Sequence, residues 1–403
     1  MNPAYASGLA IRHADAESLA IALQASRRDT LTAFGRAQSA AAGHVPQQPE
    51  LNPPLWELGH IGWFQAWWLG RNPAWEQGWR ADPNLARPAS AGDALYDSSR
   101  VPHDSRWQLP LPDADSTRRQ LADQLDQTLA LLRQARASDD ALYFFRLALL
   151  HEDMHHEAAL YTAQSLGWAL DDERWQPRPL TEANPPLQIE AGSLPAGDPG
   201  PGFAFDNELG PHTVPLPAFQ IDSRVQRWAD YLPFVETGGY QQARWWSDDG
   251  LAWLAQQAGA GPVLPRYLRR AGASGWQRWQ GGCWRALDPA LPACHLSGFE
   301  AEAWCAWAGR RLPTEAEWQR AATVADDEFH WGAVWEWTAS PFLPYPGFVA
   351  HPYRDYSAPW FGSRRVLRGA SFGTQARLHH RHYRNFFRPE RNDIFAGLRS
   401  CAR

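Results

Sequence analysis

The sequence predicts an α+β chain in two parts: a four-helix bundle over residues 1–175, then a loop-rich mixed domain over residues 176–403. Three observations carry this. Apolar residues recur at helical spacing through the first 170 or so residues. From Pro177 the composition turns, with Pro179, Pro185, Pro186, Pro195, Pro199, Pro201, Pro211 and Pro215 in quick succession. Beyond them the apolar runs are short and broken by Gly and Pro, which suits short strands and irregular loops rather than a second bundle.

The helices follow in order. Residues 15–40 carry Leu19, Leu23, Leu31 and Phe34 on a roughly helical period. A second, very apolar stretch, PPLWELGHIGWFQAWWL (53–69), opens on two prolines, which suit a helix start because the first N–H groups lack partners anyway. Residues 116–136 place Leu121, Leu125, Leu129 and Leu132 on one face. The fourth helix runs from Asp139 without Gly or Pro until Gly167, a residue suited to a left-handed end. The connection over 70–114 is long and rich in Pro, Asp and Arg, and connections of that length are often functional. In the second half the pattern predicts helices near Trp228–Thr237 and Gly298–Trp307, the latter followed by a turn over Thr314–Ala322. There is no internal repeat and no low-complexity tract.

Composition excludes several classes of function. A net charge of −6 leaves no basic footprint, so neither nucleic acid nor an anionic membrane is an expected partner. No run of about 20 apolar residues occurs, and the start, MNPAYASGLAIRHADAES, reads unlike a secretory leader; the expected compartment is the cytoplasm. Cys283, Cys294, Cys305 and Cys401 lack a C-x-x-C spacing, so they read as reduced thiols rather than a zinc site or a disulfide framework. All 38 positive charges are arginine, a residue that grips carboxylates with two prongs. The 23 tryptophans exceed what cores need, and Trp also lines pockets where an apolar face and one N–H donor are both useful.

The chemistry concentrates in HEDMHHE, residues 151–157. His151 and His155 are four apart on a helix, so both can reach one metal ion, whereas His156 lies about 100° further round. Glu157 also points away from the pair, as a supporting rather than a ligating group. Two buried imidazoles need partners, and a metal supplies them. The third ligand expected is His60, on the apolar second helix with Trp56, Phe64 and Trp67 on its face. Three neutral nitrogens leave coordination positions open, as catalysis requires, and by themselves they suit iron, zinc, copper or nickel.

LWELGHIGWFQAWWL followed by HEDMHHE resembles the DinB-like iron-binding domain of the ergothioneine synthase (sulfoxide synthase) family, whose upstream His plus H-x-x-x-H-x-E is matched by His60, His151, His155 and Glu157. The second half resembles the formylglycine-generating-enzyme domain, of C-type-lectin-like fold, that these synthases carry. Its signatures here are FDNELGPHTV (205–214), GRRLPTEAEWQRAA (309–322), VWEWTASPFLPYPGF (334–348), VLRGASF (366–372) and YRNFFRPERNDIFAGLR (383–399). The resemblance implies an Fe(II)- and O2-dependent enzyme that joins a thiol or selenol to C2 of the hercynine imidazole. It also implies that Cys283 and Cys305 are not the copper-binding cysteines of formylglycine-generating enzymes.

Two departures bear on the chalcogen. The ergothioneine synthases usually show H-x-x-Q-H, where this chain has Met154, and users of γ-glutamylcysteine carry an acid where this chain has Phe387. The resemblance therefore implies the selenoneine synthase branch, with a selenosugar (selenoglucose) as donor. The alternatives are a sulfoxide synthase using cysteine or γ-glutamylcysteine, a non-redox metal-dependent thiol transferase or hydrolase, and a lectin-like binding module. By the same resemblance Asn385 and Arg391 line the substrate cleft with Phe386, Phe387, Met154 and Arg100, while Arg384, Arg388 and Arg106 are weaker candidates. Aromatic rings facing the metal would cage the trimethylammonium group. Tyr345 is the expected proton donor, with Tyr353 and Tyr356 as alternatives.

Overall fold

A computed structural model describes residues 3–41, 45–169, 171–257, 259, 262–272 and 275–403. A short helix α1 (Pro3–Arg12) precedes α2 (Ala16–Ala41). Along α2, Leu19, Leu23, Ser26, Arg27, Thr30 and Phe34 form one buried stripe. Next comes α3 (Pro54–Gln65), entered through Pro53 and continued by a π turn, Ala66–Gly70. The long connection folds around a one-turn helix α4 (Asp93–Tyr96). Helix α5 (Ala114–Leu132) starts where Asp113 accepts from the Ser116 N–H at 2.7 Å. It ends on Leu132, the last leucine of the period and four residues short of the 116–136 span, because the chain must reverse between Arg133 and Ser138, the residue that caps the next helix. Helix α6 (Asp139–Leu166) ends on Gly167 at φ 70°, the left-handed end its glycine foretold.

The α2–α6 and α3–α5 pairs make the bundle, with α3 also packed on α6. Its centre is not wholly apolar. Arg27 reaches Glu152 at 2.8 Å, Gln65 at 2.9 Å and the Leu121 carbonyl at 2.6 Å, all buried. The charge is matched and its donors are used, which is the condition for tolerating a buried ion.

Sheets replace the bundle after Pro186. One antiparallel sheet orders Pro186–Ile189, Phe219–Asp222, Cys401–Ala402 and Arg310–Arg311; a second orders Asn385–Phe387, Arg365–Arg368, Trp335–Pro341 and Ala396–Gly397, the last pair parallel. A two-stranded and a three-stranded sheet complete this half. Four helices pack around them: α7 (Trp228–Glu236), α8 (Asp248–Gln257), α9 (Gly298–Trp307) and α10 (Glu315–Val324). Two correct the sequence expectation. The stretch after Thr314 is a full helix rather than a turn, nucleated by a reciprocal cap in which Glu317 N–H donates to Thr314 Oγ1 and Thr314 N–H donates to the Glu317 carboxylate. Helix α8 escaped notice because a glycine sits in its first turn. Cys283 is exposed, the other three cysteines are buried, and all four are free. No helix among the described residues is long and apolar enough to cross a membrane.

The two halves are bolted together by polar groups. Arg377 donates to Asp153 of α6 at 2.7 and 2.8 Å, and Arg12 of α1 grips Glu208 at 2.7 and 2.8 Å. Helix α1 lies so close to the second half that a Cβ on Gly8 would fall 1.9 Å from the His379 carbonyl oxygen, so only glycine fits there.

Burial pushes the imidazole of His295 down to about 3 and those of His351, His379 and His382 to about 4. In the unfolded chain they take protons near the ordinary value of about 6.5, whereas the folded chain refuses them. Stability is therefore lost as pH falls from 6.5 towards 4. Glu300 and Asp206, raised by burial to about 7 and about 6, work in the opposite sense but are outnumbered. The urea midpoint is expected to be lower at pH 5 than at pH 7, and an equal or higher midpoint at pH 5 contradicts this.

Candidate metal centre and substrate cleft

HEDMHHE resolves residue by residue along one helix. At about 100° per residue, successive side chains of α6 sweep from the bundle centre to the second half. Glu152 faces inward to Arg27, and Asp153 accepts from Ser26 at 2.7 Å and from Arg377. His156 meets Trp175 with ring centres 4.7 Å apart and planes tilted by 58°. Glu157 accepts from Trp335 Nε1 at 2.9 Å, Ser371 Oγ at 2.6 Å and Thr374 Oγ1 at 2.9 Å. Burial raises the Glu157 carboxyl, and these donors partly counter that. The residues left facing α3 are His151 and His155.

His60 meets them there. One donor atom from each of His60, His151 and His155 lies within 4.8 Å of the others, the sole such three-residue group among the described residues. Nε2 of His155 and Nε2 of His151 are 3.2 Å apart. Ligands on metal–nitrogen bonds of about 2.0–2.2 Å at right angles are separated by roughly 3 Å, so the spacing fits a shared ion. The tautomers fit as well. His60 Nδ1–H donates to the Tyr96 carbonyl at 2.8 Å, and His155 Nδ1–H donates to the Glu57 carboxylate, so both rings turn a bare Nε2 inward. His151 is held by stacking on Phe64, with ring centres 3.5 Å apart and planes 4° apart. Trp56 stacks on His60 at 4.9 Å.

Electrostatics keep the nitrogens available. Burial, then the neighbouring His155, pushes His60 down to about 3; burial, His155 and His60 push His151 well below its ordinary value. Burial alone would raise the Glu57 carboxyl, but His155, His60 and Arg106 together hold it at about 2. The centre is three imidazole nitrogens backed by one carboxylate, a donor set able to hold a divalent ion with open positions.

Two cavities share the wall made by Met154 and His155. The inner one, of ≈ 270 Å³, is also lined by Trp335, Tyr383, Asn385, Phe387 and Arg391. The outer one, of ≈ 570 Å³, is lined by His151, Arg106, Tyr353, Asp355, Tyr356 and Trp360. Tyr353 stands edge-on to Phe64 at 4.9 Å and to His151 at 6.1 Å. Tyr356 donates to the Tyr383 hydroxyl, which donates to Met154 Sδ, each at 3.3 Å.

The sequence-derived candidates divide accordingly. Met154, Asn385, Phe387 and Arg391 line the inner cavity, with Arg391 already held by Asp393 through two 2.6 Å bonds. Phe386 does not join them. Side chains alternate along the strand Asn385–Phe387, so Phe386 turns the other way and stacks on Phe342 at 4.0 Å. Arg100 is exposed on Asp97 and lines neither cavity; Arg106 is the arginine that lines the outer cavity, 3.9 Å over the Trp56 ring. Arg384 is buried on Glu315, and Arg388 lies outside near Glu390. Tyr345 sits with Glu315, Arg368 and Arg384 in the second half and borders neither cavity, so the tyrosine beside the histidines is Tyr353. Glu157 fastens the two halves, and the carboxylate that orients a histidine is Glu57. Sequence reading missed Glu57 and the Tyr96 carbonyl. Glu57 was findable, since it precedes His60 by three and shares its helix face.

With this geometry in place, likeness to known proteins becomes informative. The family model described as Sulfatase-modifying factor enzyme 1-like domain matches residues 172–333. The chain is 32% identical over 421 residues to hercynine oxygenase from Mycolicibacterium thermoresistibile, covering 87% of each protein. It is 32% identical over 403 residues to hercynine oxygenase from Mycobacterium tuberculosis, covering 87% of this chain and 91% of that one. It is also 28% identical over 248 residues to formylglycine-generating enzyme from Streptomyces coelicolor, covering 46% of this chain and 78% of that one. The first two likenesses span both halves and the third falls short of half the chain. The fold is thus a helical N-terminal region followed by a sheet-rich domain of the formylglycine-generating-enzyme type.

Proposed function

The chain belongs to the hercynine oxygenase family and is an oxidoreductase; from that premise we propose that it joins C2 of the hercynine imidazole to a chalcogen donor, and that the donor is a selenosugar such as selenoglucose. His60, His151 and His155 hold Fe(II), which when bound supplies the site where O2 is activated. One observation carries the choice of donor: where users of γ-glutamylcysteine carry an acid, the inner cavity touching His155 presents Phe387, with Met154 in place of the usual glutamine, so the acid expected for an amino-acid ammonium group is absent from that position.

The chain's own groups have separable tasks. Glu57 and the Tyr96 carbonyl fix which nitrogen of His155 and His60 faces inward. Tyr353, Tyr356 and Trp360 offer ring faces to a trimethylammonium group beside Asp355, each contact contributing about 0.5–2 kcal/mol once desolvated. The Tyr353 phenol, beside His151, carries its proton at neutral pH, the more so because burial raises it, and we assign it the proton donor's role.

A second reading, coupling with cysteine or γ-glutamylcysteine, is favoured by Arg106 and Asn385, which border the cavities and suit a carboxylate. Anaerobic protein reconstituted with Fe(II) distinguishes the two. It is supplied with hercynine and one of selenoglucose, cysteine or γ-glutamylcysteine, while oxygen uptake and product mass are followed. A carbon–selenium product formed at least tenfold faster than either thiol product is expected. Faster thiol coupling selects the second reading, and oxygen uptake indifferent to all three donors overturns both.

A further inference from the structure

The segment from His351 to Ser357 borders the outer cavity and carries Tyr353 and Tyr356, and both of its ends meet on one carboxylate. Asp206 Oδ2 accepts from the His351 backbone N–H at 3.3 Å, and its Oδ1 accepts from the Ser357 hydroxyl. Asp206 is 2% exposed and Ser357 fully buried, so water does not compete for these bonds. No arginine or histidine forms an ion pair with Asp206 among the described residues, and burial raises its carboxyl to about 6 despite the two donors. An unpaired carboxylate in the interior costs stability unless donors converge on it, and here the donors are the two ends of one loop.

Asp206 is itself held. Its neighbour Glu208 takes the Arg12 guanidinium, and the Asn207 carbonyl accepts from Arg384 at 2.7 Å. The preceding Phe205 stacks on Tyr356 at 4.5 Å. A further tie runs to the metal-site helix: Tyr143 Oη and His351 Nδ1 are hydrogen-bonded at 2.8 Å, and Tyr143 precedes His151 by eight residues on α6. The loop is therefore referenced both to a fixed turn of the second half and to the helix that presents His151.

We propose that Asp206 is a positioning residue for this site, closing the 351–357 loop at both ends and so holding Tyr353 against His151. The proposal rests on the reading of Tyr353 as the proton donor. A group displaced by about 1 Å can cost up to 100-fold in rate, so loosening both ends should lower turnover well beyond any loss of binding.

The test combines kinetics with a measurement that needs no substrate. In Fe(II)-loaded protein, Asp206→Ala is expected to lower kcat about tenfold, with a smaller rise in KM for hercynine because the loosened loop also carries two rings of its cage, and Asp206→Asn, which keeps one acceptor oxygen, to fall between. In a Tyr353→Phe background the same Asp206→Ala change should cost less than twofold, because it acts through the missing hydroxyl. Amide hydrogen exchange of the metal-free protein should show protection of residues 351–357 falling at least tenfold in Asp206→Ala while α6 is unchanged. Unaltered protection in that loop, or an undiminished Asp206→Ala effect in the Tyr353→Phe background, overturns the proposal. Should the wild-type protein couple no chalcogen to hercynine while the loop protection still falls, the functional reading fails and the positioning role stands.

Discussion

Replacing His155 by alanine is expected to remove bound iron and, with it, oxygen-dependent turnover. Two effects act together. The site drops from three nitrogens to two, and the Glu57 carboxylate that served His155 is left without its main partner. Removing even the group that orients a ligand weakens metal affinity by about 10–100-fold, so removing the ligand should exceed 100-fold. Elemental analysis after anaerobic Fe(II) loading reads the affinity, and oxygen uptake with hercynine reads the chemistry. His156→Ala supplies the comparison: one residue further round α6, its ring packs at a tilt against Trp175, so iron should be retained. Stoichiometric iron in His155→Ala would sink the ligand assignment, whereas iron lost equally from both variants would point to collapse of the helix.

The physical reason much of this was legible is that helices impose a short-range code. The i, i+4 spacing of His151 and His155 depends on nothing beyond the helix itself, and the same holds for the leucines of α2 and α5 and for the glycine that ends α6. What escaped depends on distant chain or on strand parity. The Tyr96 carbonyl reaches His60 across 36 residues of irregular connection, and a backbone group leaves no mark in the sequence. Phe386 and Phe387 are neighbours of identical type, and only the pairing of their strand with Arg365–Arg368 decides which enters the cavity. Tyr345 and Tyr353 lie eight apart in a stretch without periodicity; the ties of His351 and Ser357 to Asp206 bring the latter to the metal side. What Glu157 points at, Trp335, Ser371 and Thr374, lies more than 170 residues further on.

Glu57 is where that gap between code and contact has the largest consequence after the ligands themselves. Its carboxylate receives His155 Nδ1–H and also accepts from Asn52 at 2.5 Å, so it fixes the ring angle and makes the opposite nitrogen more basic. Glu57→Gln keeps the shape and one acceptor oxygen but loses the charge, which roughly halves the strength of such a bond. Fe(II) affinity is expected to fall about 10–100-fold, measured by competition with a chromophoric chelator under anaerobic conditions. The sign of its pH dependence follows from the carboxyl being held at about 2. A depressed carboxyl is ionised in the folded protein throughout pH 5–8, and its contribution is lost only as pH falls through that low value. The carboxylate is therefore charged at pH 5 and at pH 8 alike, and Fe(II) affinity of Glu57→Gln should lie below that of wild type at both. An affinity equal to wild type at both would show that His155 needs no oriented partner.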